Sequence, residues 1–479
     1  MFLVLINNKD AKIAAHLVLH LFQRARRGSL HKGLTRGSGA LGTKIIKSSQ
    51  LSRWHKLDNS ARIFPAASSV TASNVFRLAC VLREPVNPAL LQQALDATIS
   101  GFPAFAVRMR AGFFWYYFES NPKTPVVAHE KLYPCAPMNR KENDGFLFRL
   151  LYHDRRISLE TYHALTDGTG GLEFLRAITG AYLALAHAQD APQNWVPSHQ
   201  DLPNAAVLAD GYRDIYQKSK GVSPFTGKAY RIRGNQLPYT AIKVLHGQAD
   251  TGVLLQLARN NGVTITALLS ALLSYSIYTE RMGSKASDSP VVVTLPVNLR
   301  GVFGGVTAQN FFECVDPCFT FDRDDIPFAE VLASVSVQLT EKLKKENLIE
   351  LNAYKVGFSR MLGIRLVPLF LKNLLLSAAA RRGELAATST LSNLGRVQMP
   401  DWAIPHIDRF EFILSPTEAS HIKCAVCSFG DKLVITFSSS MEQHDVQRAF
   451  FRHLAAMGAT VTVEANYRFE HRGLSLNRK

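Results

Sequence analysis

The sequence predicts an α/β protein of two similar halves, each a mixed sheet covered by helices, and three observations carry that prediction. The chain has 479 residues, a length that suggests two or three domain-sized units rather than one. Hydrophobic residues make up 47% and aromatic residues 10%, which is ample for two sizeable cores. Strand-like and helix-like stretches alternate in both halves, separated by residues 188–238, which are rich in Pro, Asn, Gln and Gly and nearly aperiodic. The expected divisions are a basic, poorly ordered extension over 1–50, an N-terminal subdomain over 51–190, a linker or crossover over 191–238 and a C-terminal subdomain over 239–479.

In chain order, "NVFRLACVLR" reads as an apolar strand from Asn74 to about Leu82. "PVNPALLQQALDATI" opens a helix with Asn87 as N-cap and Pro88 at the first helical position, where a missing N–H costs nothing. A hairpin turns at Ala111-Gly112 into the aromatic run Phe113–Phe118, read as core packing with pocket lining as the lesser alternative. A second hairpin turns at Asp154-Arg155, and a helix follows with Leu175, Ile178, Tyr182 and Leu185 on one stripe. Past the crossover, "AIKVLHG" and "VVVTLPV" read as strands separated by two helices. Then come one strand, "NFFECVDPCFTF", two helices over about 326–380, the strand "ATSTLSNLG" and a hairpin turning at Gly430-Asp431. A helix, "DVQRAFFRHLAAM", and the strand "TVTVEAN" close the pattern.

The net charge is +17, but residues 1–50 hold nine Lys/Arg against Asp10 alone, so the other 429 residues carry only +9. No RNP, zinc-finger or helix-turn-helix pattern accompanies the charge, which argues against nucleic acid. Six cysteines are too few for a disulfide framework. The Cys314/Cys318 and Cys424/Cys427 pairs lack companion ligands, and a spacing of three on a strand sends Cys424 and Cys427 to opposite faces. No metal site is expected. The N-terminal apolar run is too short for a signal peptide. Residues 11–28 resemble a basic amphipathic helix, so a transit peptide or membrane contact through this segment stand as weaker readings beside a dispensable extension. "MLGIRLVPLFLKNLLLSAAA" is broken by Arg365, Pro368 and Lys372 and reads as a packed helix, leaving a soluble, cytoplasmic protein as the expectation.

The chemistry centres on "TYHALTDG". With a strand period of two, Ile157, Leu159, Thr161 and His163 share a face, so the imidazole points to packed interior or a cleft. A dry site keeps a histidine neutral near pH 7, as a general base requires. Alone, H-x-x-x-D-G arises by composition in roughly one chain in twenty-five of this length, and Asp167 is equally well a turn former or helix cap. Two further stretches add weight: "LPVNLRGVF … QNFF" (Leu295–Arg300, then Asn310-Phe311) and "TLSNLGRV" (Thr390–Val397).

Together, and in this order, the three stretches resemble the CoA-dependent acyltransferase superfamily, which holds chloramphenicol acetyltransferase, alcohol O-acyltransferases and peptide-synthetase condensation domains. The likeness is nearest to bacterial alcohol acetyltransferase-like proteins and covers roughly Trp54 to Asn466. It implies two chloramphenicol acetyltransferase-like subdomains with an active-site tunnel between them, acyl-CoA as co-substrate, a small alcohol or amine acceptor and no bound cofactor. It also implies His163 as base, with Asp167 and Gly168 completing the motif and Arg300 as the structural partner of Asp167. Gly168 would leave room for substrate beside the imidazole, and Asn298, Ser392 and Asn393 would meet substrate. Tyr162 stands where condensation domains carry an additional histidine, and the plant-type "DFGWG" is absent, so neither branch transfers whole. An acyl carrier protein as donor, and a non-catalytic acyl- or lipid-binding member of the fold, remain alternatives.

Overall fold

The computed structural model describes residues 54–131, 133–139, 141–192, 195, 207–218, 227–238 and 241–467, without the side chains of residues 358, 362 and 363. The extension over 1–50 and much of the crossover lie outside the described residues.

Three sheets make up the described chain. In the first half, a five-stranded sheet runs in the order Ile407–Leu414, Val75–Leu82, Arg156–Tyr162, Phe148–His153, Ala128–His129. Val75–Leu82 is buried along its whole length, as a central strand of aromatic and branched residues should be. One charged residue interrupts it: Arg77 pairs across the ladder with Glu160 at 2.7 Å and also meets Glu130 at 2.5 Å. Slipping either strand by one residue would leave these charges buried and alone, so the cluster pins the register. Helices Pro88–Ile99 and Gly168–Ala186 cover the sheet, the first capped by Asn87, whose Oδ1 accepts from Ala89 N at 3.0 Å. A small sheet, Trp54–Lys56, Tyr116–Ser120 and Val107–Ala111, carries the aromatic run.

The second half is built on an eight-stranded mixed sheet. Its centre is parallel, with Ser389–Arg396 lying between Val291–Asn298 and Ile422–Phe429. The hairpin Ile422–Phe429/Lys432–Ser439 turns at Gly430, whose φ of 59° suits glycine. Helix Ile265–Arg281 packs almost entirely inside. Cys424 and Cys427 do face opposite ways: Cys424 lies in the second core, Cys427 in the first, where its thiol meets the Phe410 carbonyl.

Three features differ from the sequence reading. "NFFECVDPCFTF" forms two short strands, Phe312–Val315 and Cys318–Phe319, because Pro317 between them has no N–H for the ladder. The span expected to hold two helices holds four, Phe328–Lys342, Lys345–Arg360, Leu362–Leu366 and Leu369–Leu385, with Pro368 at the last break. Strand Ile407–Leu414 was not foreseen. It follows the second half in sequence but pairs antiparallel with Val75–Leu82, tying the halves through a backbone ladder. Among the described residues no single helix is long and apolar enough to cross a membrane; one pair, Thr251–Asn260 and Ile265–Arg281, passes by length and composition only when taken together across an 82° bend.

Candidate active site

Strand Arg156–Tyr162 delivers His163 one residue beyond its end, where the His163 N–H donates to the Asn74 carbonyl at 2.8 Å. The imidazole sits in an aromatic slot. Phe64 stacks on it at 4.5 Å between centroids with planes 15° apart, and Phe76 and Phe312 close the sides at 5.3 and 5.4 Å. Burial in this slot lowers the His163 pKa below the usual 6.5, and the hydrogen bonds and the Asp167 charge offset this only in part.

A chain of polar contacts then decides which nitrogen carries the proton. His163 Nδ1 lies 3.0 Å from Asn310 Oδ1. Asn310 Nδ2 donates to Asp58 Oδ2 at 2.9 Å, and its backbone N–H reaches the same oxygen at 3.2 Å. With the amide's donor end spent on Asp58, its carbonyl end faces the ring, so Nδ1 is the protonated nitrogen and Nε2 keeps its lone pair. Asp58 is fully buried, and burial first, then the nearby Asp210, pushes its carboxyl up to about 7.

Asp167 serves the fold. It caps helix Gly168–Ala186, Oδ1 accepting from Gly170 N at 2.9 Å, while Oδ2 accepts from Phe311 N and Arg300 Nη1, both at 2.8 Å. Arg300 is equally occupied: Nε donates to the Thr307 carbonyl at 2.9 Å and Nη2 to that of Gln309 at 2.5 Å. The pair therefore holds the 307–311 segment, and with it Asn310, against the histidine turn. Gly170 is as exacting as the motif glycine, since a Cβ there would lie 2.1 Å from Thr166 Oγ1 and 2.6 Å from the Ala308 carbonyl.

His163, Asp167 and Gly168 line a cavity of about 200 Å³, together with Thr294, Asn298, Ser392, Asn393 and Phe412. The wall over Gly168 is close, for a Cβ would come 2.9 Å from Leu394 Cδ2. The glycine thus admits the second subdomain's wall as well as any substrate. Asn298 Oδ1 already accepts from Arg300 N at 3.0 Å. Asn393 donates to Thr266, in the first turn of helix Ile265–Arg281, at 3.1 Å and accepts from Gly395 N at 2.9 Å, so both its ends are engaged within the protein. Ser392 lines the same cavity. The sequence reading gave no role to Asp58, Phe64 or Lys423 and quoted Asn310 without one. Lys423 also lines the cavity, its pKa lowered by burial. No local motif marks Asp58, Phe64 or Lys423; they come near the histidine only through long-range packing. Elsewhere, His187, Asp190 and His406 bring ligand atoms within 4.8 Å of one another, and His406 Nε2 lies 3.1 Å from Asp190 Oδ2.

No family model matches the chain. Over 225 residues it is 26% identical to coprinoferrin synthetase of Coprinopsis cinerea, a match covering 39% of this chain and 9% of that protein. Solved structures align over far more. TRI101 of F. graminearum, complexed with coenzyme A and deoxynivalenol, superposes with a TM-score of 0.58 at 13% identity, covering 85% of this chain and 99% of that one. The first condensation domain of the CDA synthetase gives 0.55 at 15%, covering 86% and 99%. This is the two-subdomain fold of chloramphenicol acetyltransferase-like proteins and condensation domains. Polyketide synthase associated protein 5 of Mycobacterium tuberculosis shares it, with a TM-score of 0.56 at 16% identity over 84% and 97% of the two chains. In this fold, the histidine cavity is lined from both halves of the chain.

Proposed function

We propose that the chain is an acyltransferase that moves an acyl group from acyl-CoA to the hydroxyl or amine of a small acceptor, with His163 as general base. The observation that carries the reading is a desolvated imidazole at a cavity wall, with Nδ1 committed to Asn310 and Nε2 left basic. Nε2 takes the proton from the acceptor as its oxygen or nitrogen attacks the thioester carbonyl. The tetrahedral oxyanion collapses, the C–S bond breaks, and the imidazolium returns its proton to the departing thiolate. Neither an acyl-enzyme nor a bound cofactor has a part in this sequence. Asp167 and Arg300 act by holding Asn310 in place.

A carrier-protein thioester as donor is the second reading, favoured by the likeness to condensation domains and opposed by Tyr162, whose hydroxyl bonds Ser68 at 2.9 Å. Release of CoA thiol in the presence of an alcohol or amine acceptor tests the proposal. His163→Ala should lower it by about 10²–10⁴-fold, and a variant as fast as the parent overturns the assignment.

A further inference from the structure

A second cavity, of about 730 Å³, lies beside the loop that leads to Phe64, and its chemistry is the reverse of the first. Arg62, Arg213, Arg360, Arg365 and Lys56 line it with Trp54, Trp115, Tyr116 and Tyr117, and no carboxylate does. Asp210 stands nearby but pairs with Arg213 at 3.1 Å. Among the described residues, Arg62, Arg360 and Arg365 are paired with no carboxylate. Arg62 lies 5.1 Å over the Trp115 ring, and Lys372, almost wholly buried, packs 3.4 Å over the same ring while donating to the Phe114 carbonyl at 2.8 Å. These cations oppose one another. Burial lowers the pKa of Arg62; the Asp210 and Asp58 charges offset this only in part, and Arg213 and Arg365 add to the lowering, while burial and Arg62 bring Lys372 down to about 8. Gathering like charges in a partly desolvated cavity is unfavourable unless something negative sits among them. The indole and phenol faces beside them add a place for a flat or apolar group.

We infer that this cavity is a binding site for an anionic organic ligand, a phosphate ester or carboxylate attached to a ring or apolar body, held by Arg62, Arg360 and Arg365 against Trp115. Two sources share this chemistry: the nucleotide end of a CoA-type thioester and a separate anionic acceptor. The inference stands without the acyl-transfer reading, because binding alone tests it.

Adenosine 3′,5′-bisphosphate and phenyl phosphate serve as probes for calorimetric titration of the full chain at low salt. At least one should bind at millimolar concentration or below, and Arg62→Gln and Arg365→Gln should each weaken it about tenfold. Arg452→Gln, on the exposed face of a distant helix, should leave it unchanged. Displacement by CoA supports the nucleotide source, and binding that persists under saturating CoA supports a separate anion. The inference is overturned if neither probe binds, or if the two arginine variants, folded by circular dichroism, bind like the parent. Should Arg62→Gln fail to fold, the exposed Arg365 carries the test alone.

Discussion

The two cavities sit on either side of one loop and treat charge in opposite ways. Around His163, three aromatic rings strip water from the imidazole and hold it neutral. Around Trp115, aromatic faces support a cluster of cations whose nearest acid, Asp210, is paired with Arg213. The same kind of side chain, an aromatic ring, buried in one place and half-buried in the other, serves a base at the first cavity and cations at the second, because the partners differ. Asp58 stands between them: it orients Asn310 towards His163 and its charge also acts on Arg62. Changing this loop should therefore move both sites.

The largest effect that would break the contrast is on catalysis at the first cavity. Asn310→Ala leaves the protonated nitrogen of His163 unassigned, and kcat for thiol release should fall about tenfold or more while the KM for acceptor changes little. The acid limb of the pH profile should move as well, a readout that damaged packing alone would not give. A kcat equal to the parent's would show that the imidazole holds its tautomer without the amide.

A smaller effect is expected on stability. The Asp58 carboxyl is raised from 3.8 to about 7 in the fold, so its protonated form is the one the fold favours. Its contribution is complete below pH 4 and is lost as the pH rises towards 7, at up to about 1.4 kcal/mol per pH unit. Asp58→Asn lacks that slope. Relative to the parent it should gain about 2 kcal/mol between pH 5 and 7 in urea unfolding. A pH-independent difference would mean that Asp58 is ionised in the fold throughout this range.

Part of the first cavity was legible in the sequence: the strand period placed His163, and the resemblance pointed to Asn298, Ser392 and Asn393, which line the same cavity. The Asp167–Arg300 contact came from the resemblance, not from spacing, and the structure makes it at 2.8 Å. The second cavity was not legible. Its residues come from Trp54–Arg62, Trp115–Tyr117, Arg213 and Val356–Arg365, and nothing local links them. The aromatic run was read mainly as core, yet only Phe118 is fully buried, while Trp115, Tyr116 and Tyr117 face the cavity and Phe113 is 72% exposed. Strand Ile407–Leu414 was hidden by its irregular pattern. Its register shifts between Ile407 and Arg409, and it buries Glu411 in an ion pair with Arg409, so the alternation that marks a strand is lost.

The central claim is that His163 presents an unprotonated Nε2 to its cavity at neutral pH. Nitrogen-15 spectra of the histidine-labelled chain, assigned by comparison with His163→Ala, read that state directly. The account predicts a neutral ring at pH 7 with the proton on Nδ1, titrating below 6.5. An imidazolium at pH 7, or a neutral ring with its proton on Nε2, would contradict it.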